Sequence, residues 1–230
     1  MKFVLYISIS ILLLLVTPFL VKTLPLKEIQ KSDRPKEASL APLVNGDLYY
    51  KWHQSEKHKN NGEILVLVHG FTTPSFVWGG VLEYFLEAGF KVLVYDHYGR
   101  GLSDRPRTKY TKEFYVETLK ELLQYFNIEE PVHLLGYSMG GPIIGHFADA
   151  YPEKTRSITL IAPAGFKINR SGFNTWFIKP MIGEWFWHVF GNRVYGVGQM
   201  SETTSSDDSR SINEEEFLEN FKQQLVFSGF

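Results

Sequence analysis

The chain has 230 residues, 44% of them hydrophobic and 15% aromatic, with 24 basic against 25 acidic side chains. That is enough apolar material for one sizeable core, and the near-zero charge balance offers nothing in bulk to a nucleic-acid partner. Cysteine is absent, which excludes disulfide frameworks, thiolate metal sites and a cysteine nucleophile.

In chain order, the first element is an uncharged run from Phe3 to Val21, preceded by Lys2 and followed by Lys22 and Lys27. At about 1.5 Å per helical residue it is long enough to cross a hydrocarbon core. No Ala-x-Ala-like cleavage site lies between Thr17 and Lys27, so residues 1–22 read as an uncleaved single-pass membrane anchor. The alternative is a signal segment that is removed, leaving a secreted protein. Lys22, Lys27, Lys31, Arg34 and Lys36 outnumber the cations before the run and favour a cytoplasmic remainder, although Glu28, Asp33 and Glu37 dilute the block. Residues 23–46, polar and Pro-containing as far as Pro42 and without period, read as a linker.

Residues 47–166 alternate between strand and helix patterns. Asp47 to Trp52 is strand-like and gives way to a charged turn through Gln54 to Gly62, where His53 and His58 read as exposed loop residues. Ile64 to Val68 is apolar throughout, as expected of a parallel strand buried on both faces, and ends in His69-Gly70-Phe71. Val77 to Ala88 has helical spacing at Val77, Val81, Phe85 and Leu86, with Gly89 placed to end it. Lys91 to Tyr95 is a further strand, followed by Asp96-His97-Tyr98-Gly99-Arg100-Gly101-Leu102-Ser103. Thr111 caps a helix carrying Phe114, Leu119, Leu122, Leu123 and Phe126 on one side. The run Val132 to Tyr137, the helix to Tyr151 and the strand Ser157 to Ile161 complete the series. Such alternation predicts an α/β protein with a doubly wound, mostly parallel sheet, whose chemistry sits in the loops at the strand C-termini.

The chemically loaded stretch is Gly136-Tyr137-Ser138-Met139-Gly140-Gly141. A short apolar strand ends in Gly-x-Ser-x-Gly and passes at once into a helix, the context of a nucleophile elbow. Ser138 is the candidate nucleophile. The turn is tight enough to strain the serine backbone, and side chains at Gly136 and Gly140 are expected to collide with it. A glycine-rich turn of any doubly wound protein is the plainer reading of this stretch alone. His69 reads as a residue that hydrogen-bonds locally and shapes its turn, while Asp96, Arg100, Asp104 and Arg105 read as charges bracing a loop. Tyr137 reads as packing and Met139 as a substrate contact. No phosphate-cradling glycine motif follows any strand and no His-Glu-x-x-His spacing occurs, so no cofactor and no metal are expected.

His69-Gly70-Phe71, Asp96 to Ser103 and Gly136 to Gly141, each after its own strand and in this order, resemble the α/β-hydrolase family, over roughly Leu48 to Ile161. The resemblance implies that Ser138 attacks an acyl carbonyl, that the backbone N–H groups of Phe71 and Met139 form the oxyanion hole, and that Gly136, Gly140, His69 and Gly70 shape the elbow and turn. It implies a helical cap over the site. Residues 167–230 fit a cap-like region, with Trp176, Phe177, Met181, Trp185, Phe186, Trp187, Phe190 and Tyr195 favouring a small apolar ester as substrate. Met200 to Arg210 reads as mobile, Ser211 to Glu214 or Asn213 to Glu216 caps a helix to Val226, and Asn169-Arg170-Ser171 is a glycosylation acceptor only in a secretory lumen.

The family's order of Ser, then Asp or Glu, then His is not completed here. His53, His58, His69, His97, His133, His146 and His188 all precede the place expected of the base, and Ala162-Pro163-Ala164-Gly165 stands where an acid would follow the last strand. The sequence reads as the N-terminal two-thirds of such a hydrolase, with the C-terminal strands missing, and inactive as written. Its expected function is a serine esterase or lipase. A C–C bond hydrolase on the same elbow and a non-catalytic, membrane-tethered binding protein are the alternatives.

Overall fold

A computed structural model describes residues 2–56, 61–165, 185–186, 189, 214–224 and 227. The chain divides into two compact units, one built on the N-terminal helix and one on a sheet.

The first unit holds helix α1 (Lys2–Thr23), in which Leu14 and Val21 are 73% and 63% exposed. Among the described residues it is the one helix long and apolar enough to cross a membrane. The Trp185 indole N–H donates to the Leu15 carbonyl at 2.6 Å, so one aromatic of the cap-like stretch packs against this helix. Most of residues 167–213, with the glycosylation acceptor, the mobile stretch, His188 and the expected helix caps, lies outside the described residues, as does His58.

The second unit is a mixed sheet of six strands: β1 (Ser39–Leu43), β2 (Gly46–His53), β3 (Ile64–Val68), β4 (Lys91–Tyr95), β5 (Val132–Tyr137) and β6 (Thr155–Ile161). Their order is β1-β2-β4-β3-β5-β6; β1–β2 and β2–β4 are antiparallel, and β4, β3, β5 and β6 run parallel. Helices α2 (Gly79–Glu87), α3 (Lys112–Tyr125) and α4 (Gly140–Ala150) connect the parallel strands. A fifth helix, α5 (Glu214–Gln224), sets Phe217 edge-on against Phe76, ring centroids 5.1 Å apart.

Side-chain alternation divides the core between the two faces. Val66, Val68, Leu93, Tyr95 and Leu134 pack with Leu119, Leu122, Ile144 and Phe147 of α3 and α4, whereas Leu65, Leu67, Val92, Val94 and Leu135 pack with Trp78 and Leu86. Both faces of β3 and β4 are therefore apolar, which is why these runs show no polar alternation. Thr111 caps α3 as expected, its side chain accepting from the Phe114 N–H.

Three expectations need correction. The stretch read as linker carries β1, whose Pro42 is tolerated because β1 is an edge strand with one partner. Within that stretch Arg34 is buried, bonded to the Leu102 carbonyl at 2.7 Å and to Asp104 at 2.5 Å. His53 ends β2 half-buried rather than lying in an exposed loop, and burial with Lys51 nearby lowers its pKa to about 4. The helix after β3 begins with a 3-10 turn over Ser75–Trp78, and that change of period buries Trp78 and leaves Val81 39% exposed.

Candidate active site

The C-terminal ends of β3, β4 and β5 bring together the three motifs. At the end of β5, Ser138 adopts φ +51, a left-handed conformation rare for a residue with a side chain. Its N–H donates to the Ile161 carbonyl at 3.0 Å, and its own carbonyl accepts from Gly141 and Ala164, so both sides of the strained residue are held. The flanking glycines serve a different contact from the one expected. A Cβ on Gly136 would come 2.5 Å from the Gly140 carbonyl oxygen, and one on Gly140 would run into the Val68 carbonyl of β3. They let helix α4 start hard against the sheet rather than making room for the serine. Gly70 is the residue that approaches it: a Cβ there would lie 3.1 Å from the Ser138 Cβ.

The turn after β3 is thus seated beside the serine, and the turn after β4 grips it. The His97 N–H donates to His69 Nε2 at 2.8 Å. That nitrogen must carry a lone pair, so the ring proton is on Nδ1, which donates to the Gly70 carbonyl at 2.7 Å. The Gly70 carbonyl shares a peptide plane with the Phe71 N–H, so His69 fixes the direction in which that N–H points. His97 Nε2 in turn donates to the His69 carbonyl at 3.1 Å. Burial holds His69 well below the ordinary imidazole range and His97 down to about 3, so both rings are neutral. Asp96 is buried too; its two carboxyl oxygens accept from the Ser75 and Leu102 N–H groups, and burial raises its pKa.

Residues 63–211 match the family model described as the alpha/beta hydrolase fold. The chain belongs to the α/β-hydrolase family. Among curated relatives of this α/β-hydrolase, Lipase 1 of Psychrobacter immobilis is 33% identical over 60% of this chain and 42% of its own length. The cis-3-alkyl-4-alkyloxetan-2-one decarboxylase of Xanthomonas campestris is 28% identical over 57% of this chain and 47% of its own. Among solved structures, a carboxylesterase from the thaumarchaeon Nitrososphaera gargenis superposes with TM-score 0.56 and 21% identity, covering 83% of this chain and 68% of that one, a likeness of fold. The chain spans less than half the length of the curated relatives it matches.

In this α/β-hydrolase no described histidine hydrogen-bonds to the Ser138 hydroxyl. His69 and His97 are spent on each other and on backbone. His133 sits at the opposite end of β5, with Nδ1 2.7 Å from Ser157 Oγ and Nε2 3.0 Å from Glu63. His146 is exposed on α4, about 12 Å along the helix from the serine. The mixed-sign charges of the β4 turn do brace it: Arg105 donates to the Ser103 and Gly101 carbonyls and Asp104 accepts from the Asp47 N–H. Tyr137 packs in the α2 face of the core, and half-buried Met139 packs against the other. Among the described residues no three His, Asp or Glu side chains are grouped to hold a metal.

Two contacts escaped the sequence reading. Arg100 reaches out of the β4 turn to the Phe71 carbonyl and ring, and Ser75 hangs from Asp96. Each joins positions more than twenty residues apart, so only the mixed charge between glycines hinted at them.

Proposed function

We propose that this protein is a serine hydrolase of carboxylic esters, with Ser138 as nucleophile. The observation that carries the reading is the left-handed backbone of Ser138 at the strand-to-helix turn. Such strain persists where the surrounding structure over-determines it, and it lifts a hydroxyl clear of the sheet above the N-terminus of α4. Ser138 Oγ attacks the acyl carbon as a base takes its proton. The Phe71 and Met139 N–H groups receive the developing oxyanion, the alcohol leaves, and water releases the acyl group from the serine. The histidine and acid that complete the triad are not among the described residues. The likeness to a lipase supports an ester as substrate, and the aromatic composition of residues 167–198 supports an apolar one. We further propose that residues 1–22 anchor the protein in a membrane, that residues 47–166 form the N-terminal part of the catalytic core and that residues 167–230 form a cap.

The test is Ser138→Ala in the full-length protein, assayed with a short-chain aryl ester. Turnover is expected to vanish with the fold retained, because the hydroxyl of half-buried Ser138 carries the chemistry and little packing. Unchanged turnover overturns the proposal.

A further inference from the structure

Phe71 is pinned from two sides, and one of them is unexplained by the fold. His69 holds the Gly70 carbonyl, which fixes the plane of the peptide that bears the Phe71 N–H. That bond alone resists a crankshaft rotation of one peptide but leaves the loop free to shift as a body. The next carbonyl, that of Phe71, accepts from Arg100 Nε at 2.6 Å, and the Arg100 guanidinium carbon lies 4.2 Å from the centre of the Phe71 ring. Arg100 is itself 7% exposed and is anchored by a 2.7 Å bond from an Nη to the Gly99 carbonyl. A buried, planar side chain thus reaches both the backbone and the ring of a residue that is 42% exposed.

We infer that Arg100 is a positioning residue of the active site, holding the Phe71 N–H on the oxyanion of the transition state. The inference rests on the ester-hydrolase reading. Its chemistry is specific: the fork carries a bond to the Phe71 carbonyl through Nε and a bond to the Gly99 carbonyl through Nη while its central carbon sits over the ring. Lysine has one nitrogen and no plane, so it keeps the charge and loses the geometry.

The experiment compares Arg100→Lys and Arg100→Gln with the parent full-length protein, using an ester and its thionoester partner. Removing one oxyanion donor outright typically costs about 10²–10³ in turnover, so misplacing one is expected to cost about ten- to a hundredfold in kcat with KM little changed. The rate advantage of ester over thionoester should shrink, because sulfur accepts hydrogen bonds poorly and profits less from a well-aimed donor. Arg34→Lys loosens the same turn at Leu102 and Asp104, and is expected to lower the unfolding midpoint while leaving kcat and that ratio alone. Hydrogen exchange supplies a readout independent of activity: the Phe71 amide should exchange faster in both Arg100 variants while those of Val66 and Leu134 hold. Parent-like kcat with unchanged Phe71 exchange overturns the inference, as does a loss of kcat that only follows the folded fraction. If the parent turns over no ester, the hydrolase reading falls, and the Phe71 amide still decides whether Arg100 holds that N–H.

Discussion

Ser138 keeps its backbone at φ +51, where a residue with a Cβ pays about 1–2 kcal/mol and glycine pays little. In the proposed reading that strain presents the hydroxyl, which separates two otherwise similar variants. Ser138→Gly and Ser138→Ala both remove the proposed nucleophile, but only glycine relieves the left-handed backbone. After allowing for glycine's looser unfolded state, Ser138→Gly is expected to be more stable than Ser138→Ala by about 1 kcal/mol in urea unfolding. Equal stability would mean that the turn relaxes in solution. The motif around this residue was legible because Gly-x-Ser-x-Gly follows an apolar run, and the geometry supplies the reason for its glycines. What the motif could not reveal is Arg100 against Phe71, since a side chain's reach across a turn leaves no period in the sequence.

At the scale of elements, β3, β4 and β5 were readable from composition because burial on both faces demands continuous apolar runs. β1 was not. Ser39–Leu43 is an edge strand with Pro42 in it, and its burial comes mainly through Ala41, so neither alternation nor a run marks it. The same elements yield a pH prediction. The turns after β3 and β4 are locked by His69 and His97, both neutral and fully enclosed, one well below the ordinary range and the other at about 3. Above about pH 6.5 the rings are neutral in the folded and unfolded chain alike, and they contribute no pH dependence. As pH falls below that, the unfolded chain takes up protons that the folded one refuses. Stability therefore drops by up to about 1.4 kcal/mol per pH unit for each ring, continuing for His97 to about pH 3. Asp96, raised by burial, works in the opposite sense as it protonates, so the imidazole part is best isolated by a variant. Half-buried His53, lowered to about 4, adds to the same slope, so urea unfolding at pH 7.5 and 5.5 should differ by about 3–4 kcal/mol, and His97→Gln should remove about 1.4 kcal/mol of that difference. An equal difference in parent and variant would contradict the neutral pair.

For the whole molecule, the reach of the sheet unit toward the N-terminus decides how the proposed anchor can be tested. Arg34 lies outside the strands yet bonds to Leu102, Asp104 and Asp47, and Arg107 pairs with Glu28 on the surface. A protein beginning at Glu28 is expected to leave the membrane fraction and keep its unfolding midpoint. One beginning at Lys36 also leaves the membrane, but it loses about 2 kcal/mol with the Arg34 bonds, a figure reduced by the third of Asp104 that stays exposed. Carbonate extraction and urea unfolding of the three lengths check both halves. A Glu28 start that still pellets with membranes would show that α1 is not the anchor.

The central claim is that Ser138 is an activated nucleophile. Its most direct measurement is labelling of the full-length protein with a fluorophosphonate, followed by mapping of the modified peptide by mass spectrometry. The account predicts a stoichiometric adduct on Ser138, abolished in Ser138→Ala and slowed in Arg100→Gln. A folded protein that takes no label, or takes it on another serine, would contradict it.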